Sequence, residues 1–357
     1  MRLLFAASLA VCLIFVSALV LWMVRRDTPA RAVRRTVRQL SSMDEEAILR
    51  LLAPERPADS TQDYTAQARA LGCFFDQSSC RILRSDRDKD RAQVTVQISA
   101  PDARSLASDI RLDMIRTRIL TDSVPPDQTY DAMARLLEEN TYPQTDTEGV
   151  LVLEKQNGVW NLVPDSSLPS LLLGGLPEAL QDPYLVTPSE VAGTWLEQIV
   201  SMSAEEWASI FQISDLFSTY AENASEIDLE FLTRAKDAFS YGEIREETDA
   251  SSSEVHVSVT GIDTAAILGS YREKLISYGE TIDAITDDSV TLSAKSAQLL
   301  LDSIKEADST RTCDAVIYME NDGSGWVITD ASRFTDALFG GMDEAVSEVF
   351  GSAQADE

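Results

Sequence analysis

Apolar and polar residues alternate along 93–98 (QVTVQI) and again along 254–259 (EVHVSV), the period of two expected of a strand with one buried and one wet face. A second pair of stretches, 150–175 and 316–341, matches without a gap. It aligns Val150 with Val316, Glu154 with Glu320, Trp160 with Trp326, and Gly174-Gly175 with Gly340-Gly341, at a spacing of 166 residues. The chain therefore reads as an internal duplication.

Each copy of the second pattern predicts a hairpin followed by a helix. In the later copy Val316, Tyr318 and Glu320 alternate with Ile317 and Met319. Asn321-Asp322-Gly323-Ser324-Gly325 supplies turn chemistry, and residues 326–329 resume a β-prone run. Asp330 or Ser332 can then cap a helix with Phe334, Ala337 and Leu338 facing inward, stopped by a left-handed Gly340 or Gly341, as Gly174 or Gly175 would stop its counterpart. Trp160 and Trp326 are expected to anchor each sheet against this helix; the competing reading is a ligand-stacking platform.

Between these landmarks the periodicity shifts to that of helices. Stretches 42–52 and 201–211 open with acids where the helix dipole favours them. Further helices are expected after Asp102 and Asp263, each read as an N-cap, and over 127–139 and 294–307. The order per copy is helices, two strands, helices, two strands, helix. Hairpins with segregated helices indicate α+β domains with antiparallel sheets. The expected organisation is an anchor over 1–27, repeats over 28–181 and 191–350, a linker over 182–190 and a frayed tail over 351–357.

The start of the chain departs from this pattern. Residues 3–24 carry no charge over 22 positions, enough to cross a bilayer as a helix. A cleaved signal peptide is the competitor, but the apolar run exceeds the usual core and Leu21-Trp22-Met23 is a poor cleavage site. Bulky Val11 before Cys12 argues against acylation. Thr28-Pro29 starts a basic amphipathic helix with Ala30, Val33, Val37 and Leu40 on one side. Its arginines Arg31, Arg34, Arg35 and Arg38 either meet anionic head groups, at on the order of 1 kcal/mol each, or form a solvated face. Six arginines follow the apolar run and only Arg2 precedes it, a bias that taken alone keeps the body in the cytoplasm. Signal-anchor form, an acidic body and the cysteine spacing favour the outside.

Composition narrows the partners. The 357 residues carry a net charge of −29, and the region after Arg38 is more acidic still. Such a body repels phosphate backbones, so no nucleic-acid partner is expected. Cys73 and Cys80, with six residues between them, suit a small disulfide loop outside the cytoplasm, or two buried thiols; metal ligation lacks completing residues. Cys313, matching Thr147, reads as a buried small residue. His256 is the only histidine, placed by alternation on the polar strand face with Ser258 and Thr260. It is a pocket group if that face is concave, a surface group otherwise; Thr95 occupies the matching position. No phosphate-cradling loop, nucleophile elbow or calcium loop is present in the sequence, and no cofactor is expected.

The Thr-Pro helix start, the Gly325-Trp326-Val327-Ile328 strand and the Ala337-Leu338-Phe339-Gly340-Gly341 helix end resemble bacterial envelope proteins of unknown function. Those are lipoproteins or membrane-anchored proteins, chiefly Gram-positive, similar to the nuclear transport factor 2-like superfamily. The resemblance implies a cone-shaped α+β fold, a curved antiparallel sheet packed by helices, which elsewhere hosts both enzymes and binding modules. It transfers no catalytic residue, and the chain lacks that group's lipobox. The expectation is a non-catalytic single-pass protein presenting two domains to an envelope protein or polymer, held by membrane lipid. The alternatives are a small-molecule enzyme using one concave pocket and a cytoplasm-facing regulatory domain.

Overall fold

The computed structural model describes residues 27–42, 65–120, 128–211 and 224–350. The expected membrane span over 3–24, the helix over 42–52 beyond its first residue and the tail over 351–357 lie outside them. Among the described residues no helix is long and apolar enough to cross a membrane. The chain divides into two compact units, Met1–Arg111 with Pro125–Gln181, and Leu112–Val124 with Asp182–Glu357.

The first unit runs α1 (Pro29–Ser41), α2 (Thr65–Asp76), β1 (Ser79–Asp88), β2 (Arg91–Pro101), α3 (Ala103–Leu120, whose residues from Leu112 on belong to the second unit), α4 (Gln128–Glu139), β3 (Gln144–Gln156), β4 (Val159–Leu162), α5 (Leu168–Leu172) and α6 (Leu176–Gln181). Its strands form one antiparallel sheet in the order β1-β2-β3-β4. The second unit runs α7 (Pro188–Ser201), α8 (Ala204–Ile210), α9 (Ala224–Ala238), β5 (Ser240–Asp249), β6 (Ser252–Ile262), α10 (Thr264–Gly279), α11 (Ile282–Thr286) and α12 (Ser289–Lys305). It ends with β7 (Thr310–Asn321), β8 (Trp326–Asp330), α13 (Ser332–Leu338) and α14 (Met342–Phe350). Its sheet repeats the order, β5-β6-β7-β8, again antiparallel.

The central strands set the core. Val94, Val96, Ile98 and Ala100 of β2 are buried while Gln93 is exposed and Thr95, Gln97 and Ser99 are half-buried, and β6 shows the same alternation through Val255, Val257 and Val259. Leu71, Phe74, Leu106, Ile110 and Leu137 fill the first core. In the second, Trp207 meets Phe239 and Phe339 edge-on, and Phe334 lies 4.8 Å from Trp195. Asp102 and Asp263 cap α3 and α10 by accepting from the Ser105 and Ala266 amides.

Several boundaries differ from expectation for local reasons. Leu176–Gln181 is helical, and Thr187 caps α7 in a reciprocal box with Glu190, so residues 188–190 of the expected linker already belong to a helix. The helix expected over 201–211 is interrupted at Met202 because Ser203 makes its own box with Glu206. In α1 the inward residues are Pro29, Ala32, Val33 and Leu40, with Ala30 half-buried. α12 starts at Ser289, earlier than 294, because Asp288 accepts from the Thr291 amide. Neither Asp330 nor Ser332 caps α13. Its cap is Ala331, and Asp330 instead accepts from the Ser332 amide in a turn.

Candidate functional site

The paired glycines are stops, as their backbone requires. Gly174, Gly175, Gly340 and Gly341 have φ of 61°, 86°, 71° and 70°. Gly175 and Gly341 each donate back five residues, to the carbonyls of Ser170 and Asp336, closing the last helical turn in both copies. Both tryptophans are buried. Their partners, however, differ from the expected closing helix. The Trp160 amide donates to Asp27 Oδ2 at 2.8 Å, and Arg35 of α1 donates to the Trp160 carbonyl at 3.0 Å. Trp326 meets Tyr184, just ahead of α7, edge-on at 6.2 Å. A short edge strand has an open side, and the segment leading each unit fills it.

The arginines of α1 divide accordingly. Arg31, Arg34 and Arg38 are exposed along one side of the helix, whereas Arg35 is drawn to Trp160 and to Asp27, 3.6 Å away. Cys73 and Cys80 are free thiols. The expected disulfide is not formed because their surroundings diverge. Cys73 Sγ on α2 faces Glu138 of α4 at 3.8 Å, while Cys80 on β1 enters an apolar niche with Val37, Leu40 and Phe75. Burial pushes all three described thiols, Cys73, Cys80 and Cys313, above their ordinary value, which disfavours thiolate.

The carboxylates held below their usual range are occupied in local structure. Hydrogen bonds from Ser105 lower Asp102, from Ser167 lower Asp165, from Thr291 lower Asp288, from Ser324 lower Asp322 and from Ser332 lower Asp330. Burial with a hydrogen bond to Asp109 raises Tyr142, and the hydrogen bond to Asp287 pushes Tyr278 up to about 12. These shifts follow from capping, turns and packing.

One place collects chemistry with no such employment. His256 stands directly opposite Arg245 across β5 and β6, and Ser258 stands opposite Asp314 across β6 and β7. Strand alternation places Glu247 beside Arg245 on that face, and an irregularity after Tyr241 brings Glu243 alongside. With Val257 these six line a depression of about 180 Å³ in the second unit. His256 Nε2 is shielded from solvent and has no hydrogen-bond partner among the described residues; Glu254 Oε2 is 3.8 Å away, beyond bonding reach. Among the described residues, no group of three or more His, Cys, Asp or Glu side chains could hold a metal ion. Glu243, Arg245, Glu247 and Asp314 escape a reading of sequence motifs. The signal for them is positional, two residues along or one strand across from the single histidine.

The architecture is thus a tandem pair of α+β units, each with a four-stranded antiparallel sheet. No protein-family model matches the chain, and no curated protein matches it. Among solved structures it is similar to the candidate lipoprotein ycdA of Bacillus subtilis subsp. subtilis str. 168, at 13% identity over 74% of this chain and 96% of that one, with a TM-score of 0.24. So loose a superposition transfers neither fold nor activity.

Proposed function

We propose that the chain is a single-pass membrane protein of the cell envelope whose two units act as a binding or structural module, without catalysis of its own. On this reading each unit is a nuclear transport factor 2-like cone, and Arg31, Arg34 and Arg38 lie toward lipid head groups. The observation that carries it is the contrast between what the two copies share and what they do not. Scaffold positions coincide: Trp160 with Trp326, Gly174-Gly175 with Gly340-Gly341, Asp102 with Asp263. The wet sheet faces differ, Thr95 against His256 and Gln97 against Ser258. Two copies that hold a frame while its outward chemistry varies suit presentation of surfaces. The uncharged stretch 3–24 supplies the anchor.

The test is topological. Because Cys73 is buried and Cys80 and Cys313, the latter expected to be buried, are half-buried, the exposed turn residue Ser251 is the better reporter. A Ser251→Cys chain treated in intact cells with a membrane-impermeant maleimide is expected to label without lysis. Labelling only after lysis overturns the envelope assignment and favours the cytoplasm-facing reading, for which the six arginines after the apolar run are the supporting observation.

A further inference from the structure

The open sheet face of the second unit holds opposite charges that do not neutralise one another. Arg245 has no hydrogen bond or ion pair to any described residue, and neither do the carboxylates of Glu243, Glu247 and Asp314, although all four line the same depression as His256 and Ser258. The first unit shows that this is not a property of the scaffold. There Arg84 stands opposite Thr95 as Arg245 stands opposite His256. Arg84 Nε is bonded to Asp86 Oδ2 at 2.7 Å, and Gln97 Nε2 donates to Asp146 Oδ2 at 3.0 Å. One copy closes its polar face on itself; the other leaves a guanidinium, an imidazole nitrogen and three carboxylates available.

We propose that this depression binds a small zwitterion, a free α-amino acid of modest side chain. Its carboxylate would take the Arg245 guanidinium, whose planar fork matches a carboxylate's two oxygens, with His256 Nε2 beside it. Its ammonium would donate to carboxylates among Glu247, Asp314 and Glu243, with Ser258 as a neutral partner. A metal ion is the poorer occupant, since the acidic groups do not converge on one point, whereas a ligand whose ammonium nitrogen and carboxylate oxygens are three bonds apart can meet an acceptor and a donor on neighbouring strands. The space of about 180 Å³ admits a molecule of that size. The assignment deepens the binding-module reading by giving it a ligand class, yet the maleimide test of topology can succeed or fail without it.

The chain has one histidine, so histidine-selective 13C and 15N labelling of the full-length protein in nanodiscs yields a single imidazole signal, that of His256. Glycine, alanine and lysine are titrated in turn, with acetate, methylamine and calcium chloride as references. A saturable displacement by at least one amino acid is expected, together with about tenfold weaker binding in Arg245→Gln and in Glu247→Gln and unchanged binding in Arg84→Gln. The two single substitutions guard against one that misfolds, which the imidazole signal itself would report. No displacement by any amino acid overturns the proposal, as does an equal response to acetate or methylamine alone, or a response confined to calcium.

Discussion

Two constraints coincide at Gly340: a φ of +71°, and the backbone carbonyl of Ile262 in the place a Cβ would take. Gly323, in the β7–β8 turn, has a φ of +90° but open space around it. Gly323→Ala should therefore cost only the strain of a left-handed residue, about 1–2 kcal/mol, and Gly340→Ala distinctly more, in urea unfolding followed by circular dichroism. Equal costs would show that the Ile262 approach relaxes freely. The buried tryptophans separate in a similar way. Trp207 Nε1 donates to the Ile199 carbonyl at 2.8 Å, whereas Trp160 Nε1 has no partner among the described residues. Trp207→Phe removes a buried hydrogen bond, although the Ile199 carbonyl keeps the Met202 amide as a donor, and should lose about 1 kcal/mol more than Trp160→Phe. Asp102 offers a pH test. Hydrogen bonds from Ser105 depress its folded pKa, so the unfolded chain binds the proton more readily. The stabilisation is present above the unfolded carboxylate value and is lost as pH falls through the lower folded one. Asp102→Ala should cost about 1 kcal/mol at neutral pH, and its deficit against the native chain should vanish in acid.

At the scale of elements, the strands were the most legible feature of the sequence. β2 and β6 show period two because their neighbours on both sides fix which face meets the core, and Val255, Val257 and Val259 are buried as alternation requires. The paired glycines were equally readable, since φ above zero leaves few residue choices. Helix boundaries were less so. The boxes at Thr187 and Ser203 are visible in sequence, yet the apolar content of 201–211 runs through the break. The candidate depression was half legible: alternation placed His256, but Arg245, opposite His256, and Asp314, opposite Ser258, join it only through strand pairing across 11 and 56 residues of chain. The cysteines show the opposite failure, where sequence proximity suggested a bond and the helix-to-strand turn between them gives each thiol a different environment. In a Cys12→Ser background, a thiol reagent should modify Cys73, Cys80 and Cys313 far more slowly than a free cysteine until denaturant is added. Fast native labelling of any of them would contradict its shielding.

For the whole molecule the net charge of −29 dominates. Most described ion pairs lie between exposed partners and contribute little to stability, so the larger electrostatic effect is mutual repulsion of the surplus acids. Screening shortens that repulsion to roughly 8 Å at physiological ionic strength. The thermal midpoint should rise between low salt and physiological salt; a fall would mean that specific ion pairs outweigh the repulsion. A further consequence lies in the hold of Asp27 on Trp160. That carboxylate, accepting from an edge-strand amide at 2.8 Å and facing Arg35, fixes the backbone only three residues beyond the uncharged stretch. If that stretch crosses a bilayer, the link spans at most about 10 Å, a hinge pin in place of a leash. The first unit would then ride at the height of the head groups, too close for a bulky probe to slip beneath it. Inserting a flexible Gly-Ser segment after Arg26 would give the mount a slack that the native chain denies it.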